Sequence, residues 1–209
     1  MDHPLADRAL TLRALHHGDA PLVLPNAWDE ASARAVVAAG FPVVATTSGG
    51  VAESLGFRDH EGAPADAMFE ALGRLAGAVE VPVTADVESG YGLPAGELVE
   101  RLLAAGAVGC NLEDSDHGAG ALGDADRQAR LLSEVRAAAD RAGVPLVVNA
   151  RIVVFLHGDA APGERLVEAL RRGRLYAEAG ADVLYPIFAR GRRVLRELVE
   201  ALPLPVNAM

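Results

Sequence analysis

The chain has 209 residues, of which 51% are hydrophobic and 23% charged, which excludes a disordered protein and predicts a single domain over residues 1–209. The formal net charge of −10 argues against nucleic-acid binding, because such proteins need a basic surface. All 19 basic residues are arginines, so chemistry that needs a lysine amine is excluded.

Seven short runs of apolar and β-branched residues predict strands along the chain. They lie at residues 22–24, 43–46, 83–86, 108–112, 146–150, 183–187 and 205–207. Stretches with helical spacing, rich in alanine, leucine, arginine and glutamate, separate them. The runs do not alternate with polar residues, as is typical of strands that are buried on both faces of a parallel sheet.

The alternation of about seven strands with about six helices predicts an α/β protein with a parallel sheet. A doubly wound sheet is one possibility. A (β/α)8 barrel of the TIM type is favoured, because the repeating units are similar in length and several strands end in polar residues. A full barrel takes about 250 residues, so we expect the eighth unit and the C-terminal helices to be missing from this chain.

Acidic residues follow two neighbouring predicted strands. Asp86 ends the third strand, Glu88 lies two residues beyond it and Glu113 follows the fourth, and in a barrel these ends lie on one face. Clustered carboxylates repel one another unless a cation lies among them, and oxygen donors suit Mg2+ or Mn2+. The sequence therefore predicts a site for Mg2+ (or Mn2+). The alternative is that these acids cap the helices that follow.

Other strand ends carry groups that suit a small anionic ligand. Thr47, Ser48 and Gly49 offer amides and hydroxyls to a carboxylate or an oxyanion, unless they form an ordinary glycine-rich turn. Arg151 can bind a substrate carboxylate through two hydrogen bonds, or can pair with a barrel acid. His117 lies in the loop after the fourth strand and is the best acid–base candidate among the histidines.

In these segments the chain resembles the isocitrate lyase/phosphoenolpyruvate mutase superfamily, and within it the phosphonomutase-like group. The most specific matches are residues 54–59, 86–92, 111–115 and 149–151, and the resemblance extends from Pro25 to Asn207. It implies a (β/α)8 barrel, Mg2+ and a small α-keto or α-hydroxy acid as substrate. It also implies a homo-oligomer, which we expect to be a homotetramer or a homodimer.

The resemblance implies metal-binding roles for the three acids. Asp86 matches the direct metal ligand of the family. Glu88 and Glu113 match residues that bind the metal through water.

The resemblance also implies substrate-binding and catalytic roles. The segment from Thr47 to Gly49 matches the stretch that holds the substrate carboxylate and keto oxygen. Arg151 matches the substrate-binding arginine and Asp59 matches an acid of a mobile loop near the reacting group. Asn207, in the seventh predicted strand, is a further expected substrate-binding residue. Asp59, Arg151 and His117 are the expected catalytic residues.

Two departures from the family pattern bear on the activity. The loop at residues 114–122 has neither the cysteine of the lyase branch nor the lysine and Asn-Ser pair of the mutase branch. Cleavage of isocitrate or methylisocitrate and phosphonate chemistry are therefore disfavoured. After Arg151 the family continues with threonine and an acid, where this chain has Ile152 and Val153. The change removes an expected polar partner of Arg151 or of the metal-bound waters.

The sequence thus predicts a Mg2+-dependent lyase or decarboxylase that cleaves a C–C bond in a small, oxaloacetate-like α-keto or α-hydroxy dicarboxylate through a metal-stabilised enolate. One alternative is a non-catalytic or altered relative that binds a small carboxylic acid. Another is an enzyme acting on the P–C bond of a phosphonate. Since there is neither a membrane-length apolar run nor a signal peptide, we expect a cytoplasmic protein without membrane or nucleic-acid partners.

Overall fold

The computed structural model describes residues 4–157 and 161–209. The eight helices of these residues are α1 Pro4–Leu15, α2 Glu30–Ala38, α3 Ser48–Ser54, α4 Ala65–Gly77, α5 Ala95–Ala104, α6 Ala125–Arg141, α7 Pro162–Glu178 and α8 Arg192–Ala201. Their strands are β1 Asn26–Ala27, β2 Val44–Thr46, β3 Val83–Asp86, β4 Gly109–Glu113, β5 Ser115–Asp116, β6 Ala121–Leu122, β7 Val147–Ile152 and β8 Val183–Pro186. Within the described residues, no helix has the length and apolar character needed to cross a membrane.

Six strands form a parallel sheet in the order β1-β2-β3-β4-β7-β8, and β5 and β6 form a separate antiparallel hairpin. Beyond β8, Val206 makes a parallel bridge to Leu184. The predicted parallel α/β architecture is confirmed. The strand order runs in one direction, whereas a doubly wound sheet reverses partway, so the topology is that of successive barrel strands.

The prediction of a strand at residues 22–24 is wrong. The first strand is β1, and pairing begins where the Ala45 N–H donates to the Pro25 carbonyl at 3.1 Å. Leu22 and Leu24 instead pack as half-buried residues against the cluster beneath α1. Their apolar character reflects that packing rather than a place in the sheet.

Helix α1 packs beneath the amino ends of the strands. Its Leu12 is fully buried in one cluster with Val43, which directly precedes β2, and with Val147 of β7. Gly109 makes this approach possible, because a Cβ at that position would lie 2.7 Å from Leu12 Cδ2 and 2.9 Å from Thr84 Oγ1. Helix α1 therefore covers the end of the sheet opposite to the one where the predicted site residues lie.

A buried ionic network joins β4, β7 and α7. Asp114 Oδ2 accepts hydrogen bonds from Arg172 at 2.8 Å and from the Tyr176 hydroxyl at 2.6 Å. Asp114 Oδ1 accepts one from the Val153 N–H at 2.8 Å. Arg172 also donates to the Gly123 carbonyl at 2.9 Å, next to the hairpin. The network fixes where the chain leaves β4 and β7.

The network also explains part of the departure after Arg151. Ile152 and Val153 are fully buried, and the Val153 N–H is one of the donors that hold Asp114. These positions serve packing and backbone hydrogen bonding. The polar partners of Arg151 come from β3 and β4 instead.

We predict that Arg172→Met lowers the free energy of unfolding by about 3–5 kcal/mol, because it leaves the buried Asp114 carboxylate without its cation. Arg171→Met is the matched control. Arg171 is the neighbouring arginine and pairs with the same Glu168, but it is exposed, so its loss costs less than about 1 kcal/mol. Urea unfolding of both variants measures the difference, and equal losses would refute the role given to the network.

Candidate active site

The register of the sheet gathers three ionic side chains at the carboxyl ends of the strands. Asp86 pairs with Asn111 across β3 and β4, and Glu113 pairs with Arg151 across β4 and β7. Alternate residues of a strand point to the same side, so Asp86, Asn111 and Glu113 face the same way as Arg151. The predicted convergence of these side chains is observed.

Arg151 lies between two of the predicted metal ligands. Its Nη1 donates to Asp86 Oδ2 at 2.8 Å and its Nη2 pairs with Glu113 Oε2. Burial alone would lower the pKa of Arg151, but the two carboxylates outweigh it and raise that pKa. The Nε of Arg151 is buried and has no hydrogen-bond partner within the described part of the chain. The guanidinium is therefore fixed by acids and retains one unused donor.

The Asp86 carboxylate is oriented by further donors. Ser48 donates to Oδ2 through its N–H at 3.3 Å and its hydroxyl at 3.1 Å. The N–H of Glu88 donates to Oδ1 at 3.2 Å. Ser48, which was expected to hold substrate, thus directs its donors to Asp86 in this structure.

Glu88 lies in an electrostatically unfavourable position. It is 2% exposed and its backbone is left-handed, with φ of 50°. Burial raises its pKa to about 7, and the nearby carboxylates of Asp59, Asp86 and Glu61 add to that shift. Only the N–H of Glu61, which donates to Glu88 Oε2 at 2.6 Å, acts in the opposite direction. The site carries more negative charge than its own residues neutralise.

The β5–β6 hairpin brings His117 to this cluster. Its Nε2 lies 3.0 Å from Glu113 Oε1 and 3.9 Å from Glu88 Oε2. Its ring centroid is 5.6 Å from that of His60. The sequence placed His117 in a loop and did not predict the hairpin, which returns the side chain to the strand ends.

The other predicted residues lie around this centre. Thr47 and Asn207 line a cavity of about 500 Å3 together with Asp86, Arg151 and Tyr185.

Gly49 lies against the exposed Asp59, since a Cβ at Gly49 would be 3.0 Å from Asp59 Oδ2. His117 lines a different space, a neighbouring cleft of about 280 Å3. The ionic cluster therefore lies between two spaces, with the substrate-binding candidates on one and His117 on the other.

The donor set can be tested against the expected metal. All three candidate ligands offer carboxylate oxygens, which suit a hard divalent cation, and the charge at Glu88 favours one. Yet within residues 4–157 and 161–209 no three His, Cys, Asp or Glu side chains form a group arranged to hold an ion, and the Arg151 guanidinium pairs with both Asp86 and Glu113. The residues fit Mg2+ in chemistry and charge.

Sequence reasoning missed Glu61. Its carboxylate accepts hydrogen bonds from Ser89 and Tyr91 and its N–H reaches Glu88. The available signal was its position two residues after Asp59, just beyond the segment 54–59 that carries the family resemblance. Its left-handed backbone could not be anticipated for a glutamate.

Parallel strands in sequential order, with ionic side chains gathered at their carboxyl ends, are consistent with a TIM-barrel-like fold. The sequence profile of phosphoenolpyruvate phosphomutase matches residues 12–209. The chain belongs to that family, which confirms the resemblance to the isocitrate lyase/phosphoenolpyruvate mutase superfamily.

Three similar proteins illustrate this membership. A Burkholderia cenocepacia protein proposed to be a phosphonomutase has 43% identity and a TM-score of 0.91, over 97% of this chain and 84% of its own. Oxaloacetate acetylhydrolase bound to its product oxalate has 27% identity and a TM-score of 0.86, over 99% and 72%. The 2-methylisocitrate lyase of Escherichia coli is 29% identical over 81% of this chain, which spans 58% of that enzyme. On this basis the chain is classed as a C–C lyase.

We predict that Glu88 makes folding stability fall as pH rises. Its pKa is about 7 in the folded state against 4.5 for an ordinary glutamate, so the folded state holds the extra proton between these values. Stability is therefore lost from about pH 4.5 to about pH 7 and stays low above, by up to about 3 kcal/mol.

Glu88→Gln should remove this dependence and be the more stable form at pH 8. Urea unfolding from pH 5 to 8 with EDTA present measures the difference between the two profiles. The exposed Glu100→Gln is the control and should follow the wild type. If the stability of Glu88→Gln and that of the wild type changed with pH in the same way, the raised pKa given to Glu88 would be contradicted.

Proposed function

We propose that the protein is a Mg2+-dependent lyase or decarboxylase that cleaves a C–C bond in a small, oxaloacetate-like α-keto or α-hydroxy dicarboxylate. The observation that carries the proposal is the position of Arg151, a buried cation with an unused donor beside a cavity at the strand ends. Similarity to a methylisocitrate lyase and to an oxaloacetate acetylhydrolase supports the class of substrate.

Asp86 would bind the metal directly, and Glu88 and Glu113 would bind it through water. Manganese would satisfy the same donors. When bound, the ion supplies Lewis-acid polarisation of the substrate keto oxygen. The surplus negative charge shown by the raised pKa of Glu88 supports a cation at this point.

Arg151 would bind a substrate carboxylate, using donors that a guanidinium presents in one plane. Asn207 and Thr47 line the same cavity and would contact the rest of the ligand. The N–H of Gly49 would serve the carboxylate or keto oxygen, while Ser48 keeps Asp86 in place.

His117, whose Nε2 lies 3.0 Å from Glu113 Oε1, would act as the acid–base group. Asp59, exposed beside Gly49, would lie near the reacting group. The enzyme would act as a homotetramer or homodimer.

Two observations keep alternatives open. Asp86, Arg151 and Glu113 already satisfy one another, which favours a relative that binds an acid without converting it. The similarity to a protein proposed to be a phosphonomutase favours cleavage of a P–C bond. The two experiments that follow distinguish these three functions.

The first measures turnover of oxaloacetate and related acids with Mg2+. We expect EDTA to abolish turnover and Asp86→Ala to reduce it by at least about 100-fold, since both remove the polarising ion. Asp126→Asn, at an exposed carboxylate, should leave turnover unchanged. Turnover that survives both EDTA and Asp86→Ala would contradict the mechanism, and phosphate release from a keto-phosphonate would identify the P–C alternative.

The second measures oxalate binding by calorimetry, because oxalate mimics the enolate of a keto acid. A lyase should bind oxalate more tightly with Mg2+ than without it, and Arg151→Met should weaken that binding by about 2–3 kcal/mol through loss of a charge-assisted contact. Metal-dependent oxalate binding without turnover of any acid would favour the non-catalytic relative. Absence of oxalate binding would reject both the lyase and the acid-binding relative.

A further inference from the structure

One carboxylate holds the segment from Arg58 to Gly62 against the turn that follows β3. Glu61 Oε1 accepts hydrogen bonds from the Ser89 hydroxyl at 2.5 Å and from the Tyr91 N–H at 2.8 Å. The Glu61 N–H donates to Glu88 Oε2 at 2.6 Å. We call these three hydrogen bonds the Glu61 latch.

The backbone on both sides of the latch is in an unfavourable conformation. His60 and Glu61 have φ of 65° and 55°, and Glu88 and Tyr91 have φ of 50° and 56°. In the part of the chain that the structure describes, Phe188 is the only other non-glycine residue with positive φ. Such conformations persist where surrounding contacts impose them, and they cluster at functional sites. The latch joins Glu61 to Glu88 and Tyr91, and His60 directly precedes Glu61 in the chain.

The latched segment carries two groups that face the candidate active site. Asp59 lies against Gly49, and the ring of His60 lies beside that of His117. The latch also supplies the N–H that binds the Glu88 carboxylate. Releasing Glu61 would therefore displace Asp59 and His60 and would remove the backbone donor of Glu88.

We propose that Glu61 is a positioning residue: its side chain, bound by Ser89 and Tyr91, holds Asp59 and Glu88 in their places for the reaction. The effect on turnover rests on the proposed function. The latch itself is a property of the fold and can be measured without substrate.

Limited proteolysis tests the latch. Trypsin cuts this chain only after arginine, since there is no lysine, and Arg58 is exposed in the latched segment. Glu61→Ala should speed cleavage after Arg58 at least about tenfold, because cleavage follows the population of the open segment. Glu61→Gln keeps an acceptor at the same place and should stay within about threefold of wild type.

Cleavage after Arg141, exposed at the end of α6 and outside the latched segment, should stay constant in both variants. Glu53→Ala, at an exposed carboxylate of α3, is the matched control and should behave as wild type. Equal cleavage after Arg58 in Glu61→Ala and wild type would overturn the latch.

Kinetics test the positioning role. In Glu61→Ala we expect kcat to fall about 10- to 100-fold with KM nearly unchanged, and we expect Glu61→Gln to restore most of kcat. As a single variant, Ser89→Ala should lower kcat. Combined with Glu61→Ala it should lower kcat little further, because both changes break the same hydrogen bond between Ser89 and Glu61. Unchanged kcat in Glu61→Ala would overturn the positioning role. If the wild type turns over no acid, the proposed function fails, while the cleavage rates still decide the latch.

Discussion

The pairing of Arg151 with Asp86 and Glu113 is the interaction on which the site depends. Both acids and the arginine are largely buried, and a carboxylate buried without a partner is costly. The guanidinium spans neighbouring strands, so it compensates two acids at once and ties β3, β4 and β7 together at their functional ends. Among the described residues Arg151 forms no ion pair with Glu88, and burial raises the pKa of that acid.

Around Arg151 and its two acids, the well-packed parts and the strained parts of the structure lie in different segments. Asp114, Arg172 and Tyr176 form a buried hydrogen-bonded network next to the site, which holds the chain as it leaves β4. Four of the five non-glycine residues with positive φ in the described part of the chain lie in the turn after β3 and in the segment around Glu61. The strand ends are thus fixed by the sheet and the network, while the loops above them depend on a few side-chain contacts.

The sequence predicts the parallel sheet and the set of ionic residues because both follow from local pattern. Buried strands appear as apolar runs, and their ends appear as polar residues such as Asp86 and Arg151. What it could not predict depends on pairing between distant segments. The first strand was misplaced because Leu22 and Leu24 are apolar for packing reasons, and the hairpin that carries His117 has no apolar run. The sequence also could not predict which acids pair with Arg151, because strand register decides that. It could not predict the contact of Ser48 with Asp86, because the side-chain rotamer decides it.

Gly109 has a consequence for how this protein can vary. The space that a side chain would need at that position is taken by Leu12 from the first helix and by Thr84 from the adjacent strand. A larger residue at 109 would therefore have to be accompanied by smaller ones at two positions far away in the chain. Substitutions at these three positions are coupled, and because β4 ends at Glu113, a shift of the strand to relieve the collision would carry an acid of the site with it. Sequence variation at Leu12 in the amino-terminal helix is therefore limited by the need to keep Glu113 in place at the opposite end of the sheet.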